Sequence, residues 1–328
     1  PRQRCLLTCV FKCKLKHNLN TKNVGCFVGA GADEYGAIRT AFPNHFHNSV
    51  NSVGASSVAS GRISFTFDFK GPALSIDTAC SSSLVATHLG SQSVLQSETD
   101  SSIVGGVNLI LTASTTAMFL RAGMLAADGR CKTLDTCADG YVRAEGCDVC
   151  VLVKTMDKCR VCFYGSAVNQ DGRTSSLTAP NGPSQTRVIT AAIQNAEVMP
   201  LDVQNLELHG TGTALGDPIE VGGALGILGS GGTIRFEAVK SSIGHTECAA
   251  GIVALIHTAH GIEAQLHTGI LHMRCVNLHV SQAIIISKTT EDTGATIARC
   301  RLASCARALQ KCACAGVSSF AFQGTNAH

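Results

Sequence analysis

An α/β fold, in which strands alternate with helices along the chain, is what the sequence predicts. Three observations predict it: apolar runs of strand length recur, helix-periodic stretches separate them, and 33 glycines among 328 residues punctuate the junctions. Hydrophobic residues make up 45% and charged residues 15%, which suits a large buried core and argues against a disordered or fibrous chain. The net charge of +3 is too small to mark a nucleic-acid binder. No apolar run reaches the roughly 18 residues of a membrane span.

The elements follow in order. A helical segment near Leu6–Leu15 leads to an apolar strand at Val24–Gly29 and a Gly-rich turn. Ser49–Gly61 reads as a helix of small residues. Leu74–Ala79 is a strand that runs into Cys80, and Leu84, Val85, Leu89 and Leu95 then recur at helical spacing. Further strands are expected at Ile103–Leu111, at Cys147–Val153 and at Val161–Ala167, before a polar loop over Asn169–Ser184. A helix over Gln185–Ala196, a strand at Asn205–Leu208, a strand at Arg235–Val239 and a helix over Glu247–Glu263 complete the pattern. The boundary between the two strand–helix alternations falls near Cys159.

The first 32 residues hold six Lys and Arg and no acid, which reads as a partial sequence beginning inside a helix. Several of the 17 cysteines lie inside apolar runs, as in Val149-Cys150-Val151, and so read as free thiols of a reducing compartment, cytoplasm or organelle. Cys147-x2-Cys150 with Cys159-x2-Cys162 has zinc-like spacing. A strand over Cys147–Val153 turns its first two cysteines to opposite faces, so no metal is expected there. The glycine runs Gly29–Gly36 and Gly222–Gly232 lack the ending of a phosphate cradle and read as tight turns. His257, His260 and His267 lie on a helical stretch and its exit and are assigned no role.

The sharpest local feature is Asp77-Thr78-Ala79-Cys80-Ser81-Ser82-Ser83-Leu84. A strand ends, the chain turns, and a helix starts with a cysteine at its first turn. Small neighbours leave the sulfur accessible, and the positive helix end favours thiolate. Two histidines stand at comparable strand-to-loop junctions. His209 opens His209-Gly210-Thr211-Gly212-Thr213-Ala214-Leu215-Gly216-Asp217-Pro218-Ile219-Glu220, and His245 lies in Lys240-Ser241-Ser242-Ile243-Gly244-His245-Thr246-Glu247. One cysteine and two imidazoles suit Claisen-type carbon–carbon bond formation: the sulfur carries an acyl group and the imidazoles stabilise an enolate or oxyanion.

These three segments, together with Gly316–His328 (GVSSFAFQGTNAH), resemble the four signature blocks of β-ketoacyl synthases of the polyketide synthase type. Asp139–Glu145 (DGYVRAE) and Leu177–Gln185 (LTAPNGPSQ) are similar too, so the resemblance covers nearly the whole chain. It implies a thiolase-like fold of two related βα halves, 1–160 carrying Cys80 and 161–328 carrying the histidines, in layered α/β/α/β/α packing. It implies a ketosynthase that loads an acyl chain on Cys80 from the phosphopantetheine arm of an acyl carrier protein, with no other cofactor. A malonyl-type thioester then loses carbon dioxide, assisted by His209 and His245, and its carbanion attacks the Cys80 thioester.

By the same resemblance Lys240 supports His245, and Thr211 and Thr213 contact the pantetheine arm. The Cys80 and Phe322 N–H groups form the oxyanion hole, and Phe322 gates the acyl pocket. A homodimer pairing the Leu74–Ala79 edges is implied. Asp217 and Glu220 are read as holding their loop, and Glu247 as a helix N-terminal acid. Ala254 stands where some branches carry a buried acid. The chain departs from the family in starting after its opening strand, in stopping before its last strands, in Ala321 and Gln323 at small-residue positions, and in Cys275-Val276 for two prolines. Two alternatives stay open: a catalytically silent partner that binds carrier protein, and a thiolase-like enzyme using coenzyme A.

Overall fold

The computed structural model describes residues 1–17, 19, 21–42, 55–155, 161–229, 233–289, 299–302, 307–308 and 314–328. Contacts group them into two units, each assembled from separate stretches. One comprises Pro1–Ala122, Arg143–Lys158 and Thr246–Val253; the other comprises Gly123–Val142, Cys159–His245 and Ala254–His328.

The first unit opens with helix α1 (Arg2–His17) and strand β1 (Val24–Ala30). Helices α2 (Glu34–Ala41) and α3 (Ser57–Phe67), strand β2 (Ala73–Ile76) and helix α4 (Ser82–Leu95) come next. Strand β3 (Ser101–Asn108), helix α5 (Ala113–Arg121) and strand β4 (Gly146–Val153) complete it. The sheet order is β2-β1-β3-β4, parallel except for the antiparallel β3–β4 pair. Every residue of β1 is buried, as a strand covered on both faces requires. Leu6 and Val10 of α1 and Ile63 of α3 close its core over Val24, Cys26, Val28, Ile103 and Val107.

The second unit starts with strand β5 (Val168–Gln170) and helix α6 (Gly182–Asn195), which Asn181 caps by accepting the Ser184 N–H at 3.2 Å. Strand β6 (Val203–Glu207), helix α7 (Gly216–Leu228), strand β7 (Thr233–Glu237) and the short helix α8 (Lys240–Ile243) follow. Then come helix α9 (Ala250–Ala264), which joins this unit from Ala254, strand β8 (Leu266–His267), helix α10 (Leu278–Thr289) and strands β9 (Arg299–Leu302) and β10 (Arg307–Ala308). Strands β11 (Cys314–Val317), β12 (Ser319–Phe320) and β13 (Thr325–Ala327) end the chain. A parallel sheet runs β11-β6-β7-β9, beside the smaller groups β12-β13-β5 and β10-β8. Its core packs Val188, Ile189 and Ile193 of α6 and Val221 and Leu225 of α7 around Leu206, Leu208, Ile234 and Phe236. Among the described residues no helix is long and apolar enough to cross a membrane.

Two expected strands are shorter than their apolar runs, and in both a side chain captures the backbone. β2 stops at Ile76 because Asp77 Oδ1 accepts the Ala79 N–H at 3.1 Å and Ser82 Oγ accepts that of Thr78 at 2.9 Å. β3 stops at Asn108 because Glu145 Oε1 takes the Ile110 N–H at 2.9 Å and Glu34 Oε2 takes those of Leu111 and Thr112 at 2.6 and 2.8 Å. The Val161–Ala167 run is irregular rather than a strand. Pairing begins with Ala167 against His328 and becomes regular only at Val168 against Ala327.

Two more readings change. Residues 222–229 lie in α7 and its end rather than in a turn, and Gly36 is helical, in α2. Residues 49–54 and Cys159 lie outside the described residues. Twelve of the described cysteines are free thiols, whereas Cys162 is in a disulfide, against the all-thiol expectation.

Candidate active site

In the first unit β2 delivers the chain to a single 3-10 turn, Ala79–Ser81, stacked on the start of α4. Cys80 sits in that turn, half-buried and outside any disulfide. Ala79 adopts φ +54, an uncommon left-handed value for a residue with a side chain, and Ser82 Oγ fastens it by donating to the Ala79 carbonyl at 2.6 Å. Small residues let α4 press onto the sheet. A Cβ on Gly29 would lie 2.6 Å from the Ser83 nitrogen, and one on Gly106 would lie 2.7 Å from the Ser83 Cβ. Two buried thiols of this unit are inert near neutrality, because burial pushes Cys26 up to about 11 and Cys248 up to about 12.

A charge network braces this unit. Arg143, its side chain 4% exposed, donates from Nε to Glu247 at 2.5 Å and from a terminal nitrogen to Glu34 at 3.1 Å. Its other terminal nitrogen reaches Thr116 at 2.8 Å. Glu247 is therefore a partner of Arg143 as well as an acid at a helix start.

In the second unit β6 ends at Glu207 and leads through Leu208 to His209. The loop after it is held from below by the two acids of α7. Glu220 accepts the His209 and Gly210 N–H groups at 2.6 and 2.9 Å. Asp217 accepts those of Leu134 at 2.8 Å and Gly212 at 3.1 Å. Both acids are buried, and burial raises Asp217 to about 6 and Glu220 to about 8 against those donors. Gly212 needs its φ of +79, and a Cβ there would lie 2.7 Å from the Lys132 nitrogen. Thr211 and Thr213 lie half-buried on this loop, and Thr213 Oγ1 accepts the Gly216 N–H at 3.1 Å.

The second histidine reaches the same place by another route. β7 ends at Glu237, Lys240 opens α8, and Gly244 reverses the chain with φ +82. The His245 N–H then bonds the Val142 carbonyl at 2.8 Å. The rings of His209 and His245 meet edge to face with centroids 5.4 Å apart. Tyr141 flanks His245 at 5.0 Å and Phe320 flanks His209 at 6.1 Å.

Lys240 is buried beside them. Burial first, and then the Lys240 charge, hold both imidazoles well below their ordinary range, so both are neutral near pH 7. His209 Nδ1 is buried and makes no hydrogen bond among the described residues. Neutral imidazole donors beside a buried ammonium provide a preorganised positive potential for a developing oxyanion or enolate.

Phe322 stands at the tip of the β12–β13 hairpin, closed by the Gly324 N–H on the Ala321 carbonyl at 2.8 Å. Gln323 Oε1 accepts the Thr325 N–H at 2.7 Å, so the unusual glutamine fastens the hairpin. The second unit thus gathers His209, His245 and Lys240, with Thr211 and Thr213 on the His209 loop. Cys80 belongs to the first unit. Sequence reasoning singles out none of Tyr141, Arg143 and Phe320, although each lies inside one of the signature stretches.

The N-terminal domain profile of β-ketoacyl synthase matches residues 2–158, and the C-terminal domain profile matches residues 161–274. Polyketide synthase GfsA of Streptomyces halstedii is 41% identical over 323 residues, 95% of this chain and 4% of that protein. A phenolphthiocerol/phthiocerol polyketide synthase of Mycobacterium tuberculosis is 38% identical over 347 residues, 100% of this chain and 18% of that protein. The chain thus spans a small part of these relatives.

Among solved structures, the ketosynthase from module 6 of the bacillaene synthase of Bacillus subtilis 168 superposes with TM-score 0.85 at 30% identity, covering 100% of this chain and 56% of that one. The oxazolomycin ketosynthase domain of Streptomyces albus JA3453 gives TM-score 0.87 at 29% identity, covering 100% of this chain and 59% of that one. These neighbours bear out the thiolase-like fold. By sequence and by fold, the chain belongs to the β-ketoacyl synthase family, among the ketosynthase domains of polyketide synthases.

Proposed function

We propose that the chain catalyses decarboxylative Claisen condensation in polyketide chain elongation, with Cys80 as nucleophile and His209, His245 and Lys240 as the decarboxylation machinery. The observation that carries this reading is the buried pair of neutral imidazoles beside Lys240. The Cys80 thiolate attacks the carbonyl of an acyl thioester on a carrier protein, and the pantetheine thiol leaves with a proton. A malonyl-type thioester then loses carbon dioxide, and its enolate oxygen takes hydrogen bonds from His209 and His245. The carbanion attacks the Cys80 thioester, and the Cys80 sulfur leaves as thiolate. The product is a β-ketoacyl thioester on the second carrier.

Thr211 and Thr213 offer hydroxyls to the pantetheine arm. The Phe322 N–H joins that of Cys80 in the oxyanion hole, and its ring gates the acyl pocket. The partner proteins are acyl carrier protein and a second copy of the chain. β2 suits such a dimer: it is the outer strand of its sheet, and Leu74 is 46% exposed.

The test is intact mass after incubation with an acyl-N-acetylcysteamine or an acyl carrier protein. An acyl adduct is expected on the wild type and none on Cys80→Ala. His209→Ala and His245→Ala keep the adduct but lower β-ketoacyl product by about 10²–10⁴-fold. A folded chain without an adduct would shift the reading to a silent carrier-binding partner. Faster loading from coenzyme A than from carrier protein would favour the thiolase-like enzyme.

A further inference from the structure

Behind the His209 loop, inside the second unit, two carboxylates face each other in the core. Glu207 and Glu237 are register partners on the parallel strands β6 and β7. Their side chains are 0% and 7% exposed. Like charges at this distance in a dry interior repel strongly unless a cation or protons neutralise them.

Two imidazoles complete the group. His257 of α9 brings Nδ1 to 3.0 Å from Glu207 Oε2, while its Nε2 lies 3.1 Å from Thr268 Oγ1. His267 of β8 touches Glu237 Oε1 through Nδ1; its side chain is 4% exposed, and its Nε2 is buried with no hydrogen bond among the described residues. Both carboxylates and the His257 ring each place a ligand atom within 4.8 Å of the others.

We propose that Glu207, Glu237 and His257 bind a divalent first-row transition metal ion of the zinc type, with His267 as the outer partner that orients Glu237. The chemistry of the group fits. Two carboxylates and a dication sum to zero charge, the least costly state for a buried cluster. Mixed oxygen and imidazole donors select zinc-like ions over calcium or magnesium. Tetrahedral ligands on bonds of about 2.1 Å lie roughly 3.4 Å apart, so the side chains need only a small closure.

The hydrogen bonds beyond the ligands are in place as well. With the ion bound, Thr268 Oγ1, 3.1 Å from His257 Nε2, would accept the Nε2 proton and leave the Nδ1 lone pair for the ion. The Val239 N–H donates to Glu207 Oε1 at 2.6 Å, which leaves Oε2 on the His257 side. His257, 21% exposed, supplies the path from solvent. An ion here would tie together the strand ends that lead to His209 and Lys240, independently of the condensation chemistry. The competing arrangement is two separate ion pairs, His257 with Glu207 and His267 with Glu237.

The experiment uses the whole chain, stripped with a chelator and titrated with cobalt(II) and zinc(II). One equivalent of cobalt is expected to bind with weak visible bands and no thiolate charge-transfer absorption. Glu237→Gln and His257→Gln should weaken binding by more than about 100-fold, and His267→Gln by about 10–100-fold. Cys80→Ala should bind as the wild type does. Zinc at a hundred times its Kd should raise the folded-to-unfolded ratio of the wild type roughly 100-fold in thermal melts, and leave both ligand variants unchanged.

X-ray absorption of the zinc-loaded wild type asks the same question without a variant. A nitrogen and oxygen shell at about 2.0–2.2 Å supports the site, and a sulfur shell at about 2.3 Å overturns it. Absence of binding, or one-equivalent binding that survives both ligand variants, also overturns it and leaves the ion-pair arrangement.

Discussion

Around Cys80 the first unit places bare backbone and small side chains; around His209 the second unit places carboxylates. α4 reaches the sheet because Gly29 and Gly106 leave no Cβ to hold it off, and the Cys80 turn rides on its first residues. The His209 loop is suspended instead from Asp217 and Glu220, which accept four loop and neighbouring N–H groups at distances of 2.6 to 3.1 Å. A nucleophile needs an exact position and open access, which close packing provides without adding charge. An imidazole that must stay neutral tolerates buried acids on its backbone side, with Lys240 close by. The two methods also fail differently: packing fails by steric clash, and hydrogen bonding fails through desolvated groups left unpaired.

The largest stability effect expected is on the Arg143 network of the first unit. Arg143→Met leaves the buried Glu34 and the partly buried Glu247 without their cation and should cost about 3–5 kcal/mol in denaturant unfolding. A cost below about 1 kcal/mol would mean that this unit is held by packing alone. Gly106→Val comes next. Its first added carbon meets Ser83 Cβ at 2.7 Å and the Ala249 and Cys248 backbones at 2.9 Å. Overpacking of this kind costs about 1–3 kcal/mol. The acylation rate of Cys80 should fall with it, because Ser83 lies on the first turn of α4. A variant that loses stability but acylates at the wild-type rate would separate the Cys80 turn from the packing beneath it.

How much of this was legible in the sequence depends on the distance over which each feature is decided. The Cys80 turn and the two histidine loops are local, set by glycines, small residues and strand-to-loop junctions within about ten positions. Asp217 and Glu220 were read correctly because they share one helix start with the loop they hold. Arg143 was not: its partners are Glu34 and Glu247, each more than a hundred positions away.

The ends of β2 and β3 were overrun for a related reason. Apolar periodicity reports burial, but Asp77, Glu34 and Glu145 decide where the ladder stops. The facing of Glu207 and Glu237 was hidden too, since it requires the register of β6 on β7. His257 and His267 accordingly read as residues of a helical stretch and its exit with no role. The division into units shows the same limit. Gly123–Val142 groups with the later half and Thr246–Val253 with the earlier one, through contacts that no local pattern announces.

The smallest expected effect tests whether the carboxylate suspension carries a standing cost. Buried acids with raised values bind protons in the folded state that the unfolded chain has already released, so stability falls as pH rises through that window. Asp217 is half-released at about 6 and Glu220 only at about 8. His245 and His328 act in the opposite sense. Burial keeps them neutral, His328 down to about 4, so the unfolded chain gains protons first as pH falls below about 6.5, and stability is lost on the acid side. Above about pH 7.5, where Asp217 and the unfolded-state imidazoles have finished titrating, Glu220 alone of these four still changes its proton. Stability should therefore decline there by up to about 1.4 kcal/mol per pH unit. Glu220→Gln keeps a carbonyl for one of the two N–H groups and has no proton to release. Its unfolding free energy should be flat over the same window. A variant that declines as steeply as the wild type would place the cost elsewhere and leave the His209 loop suspended by a carboxylate that is ionised throughout.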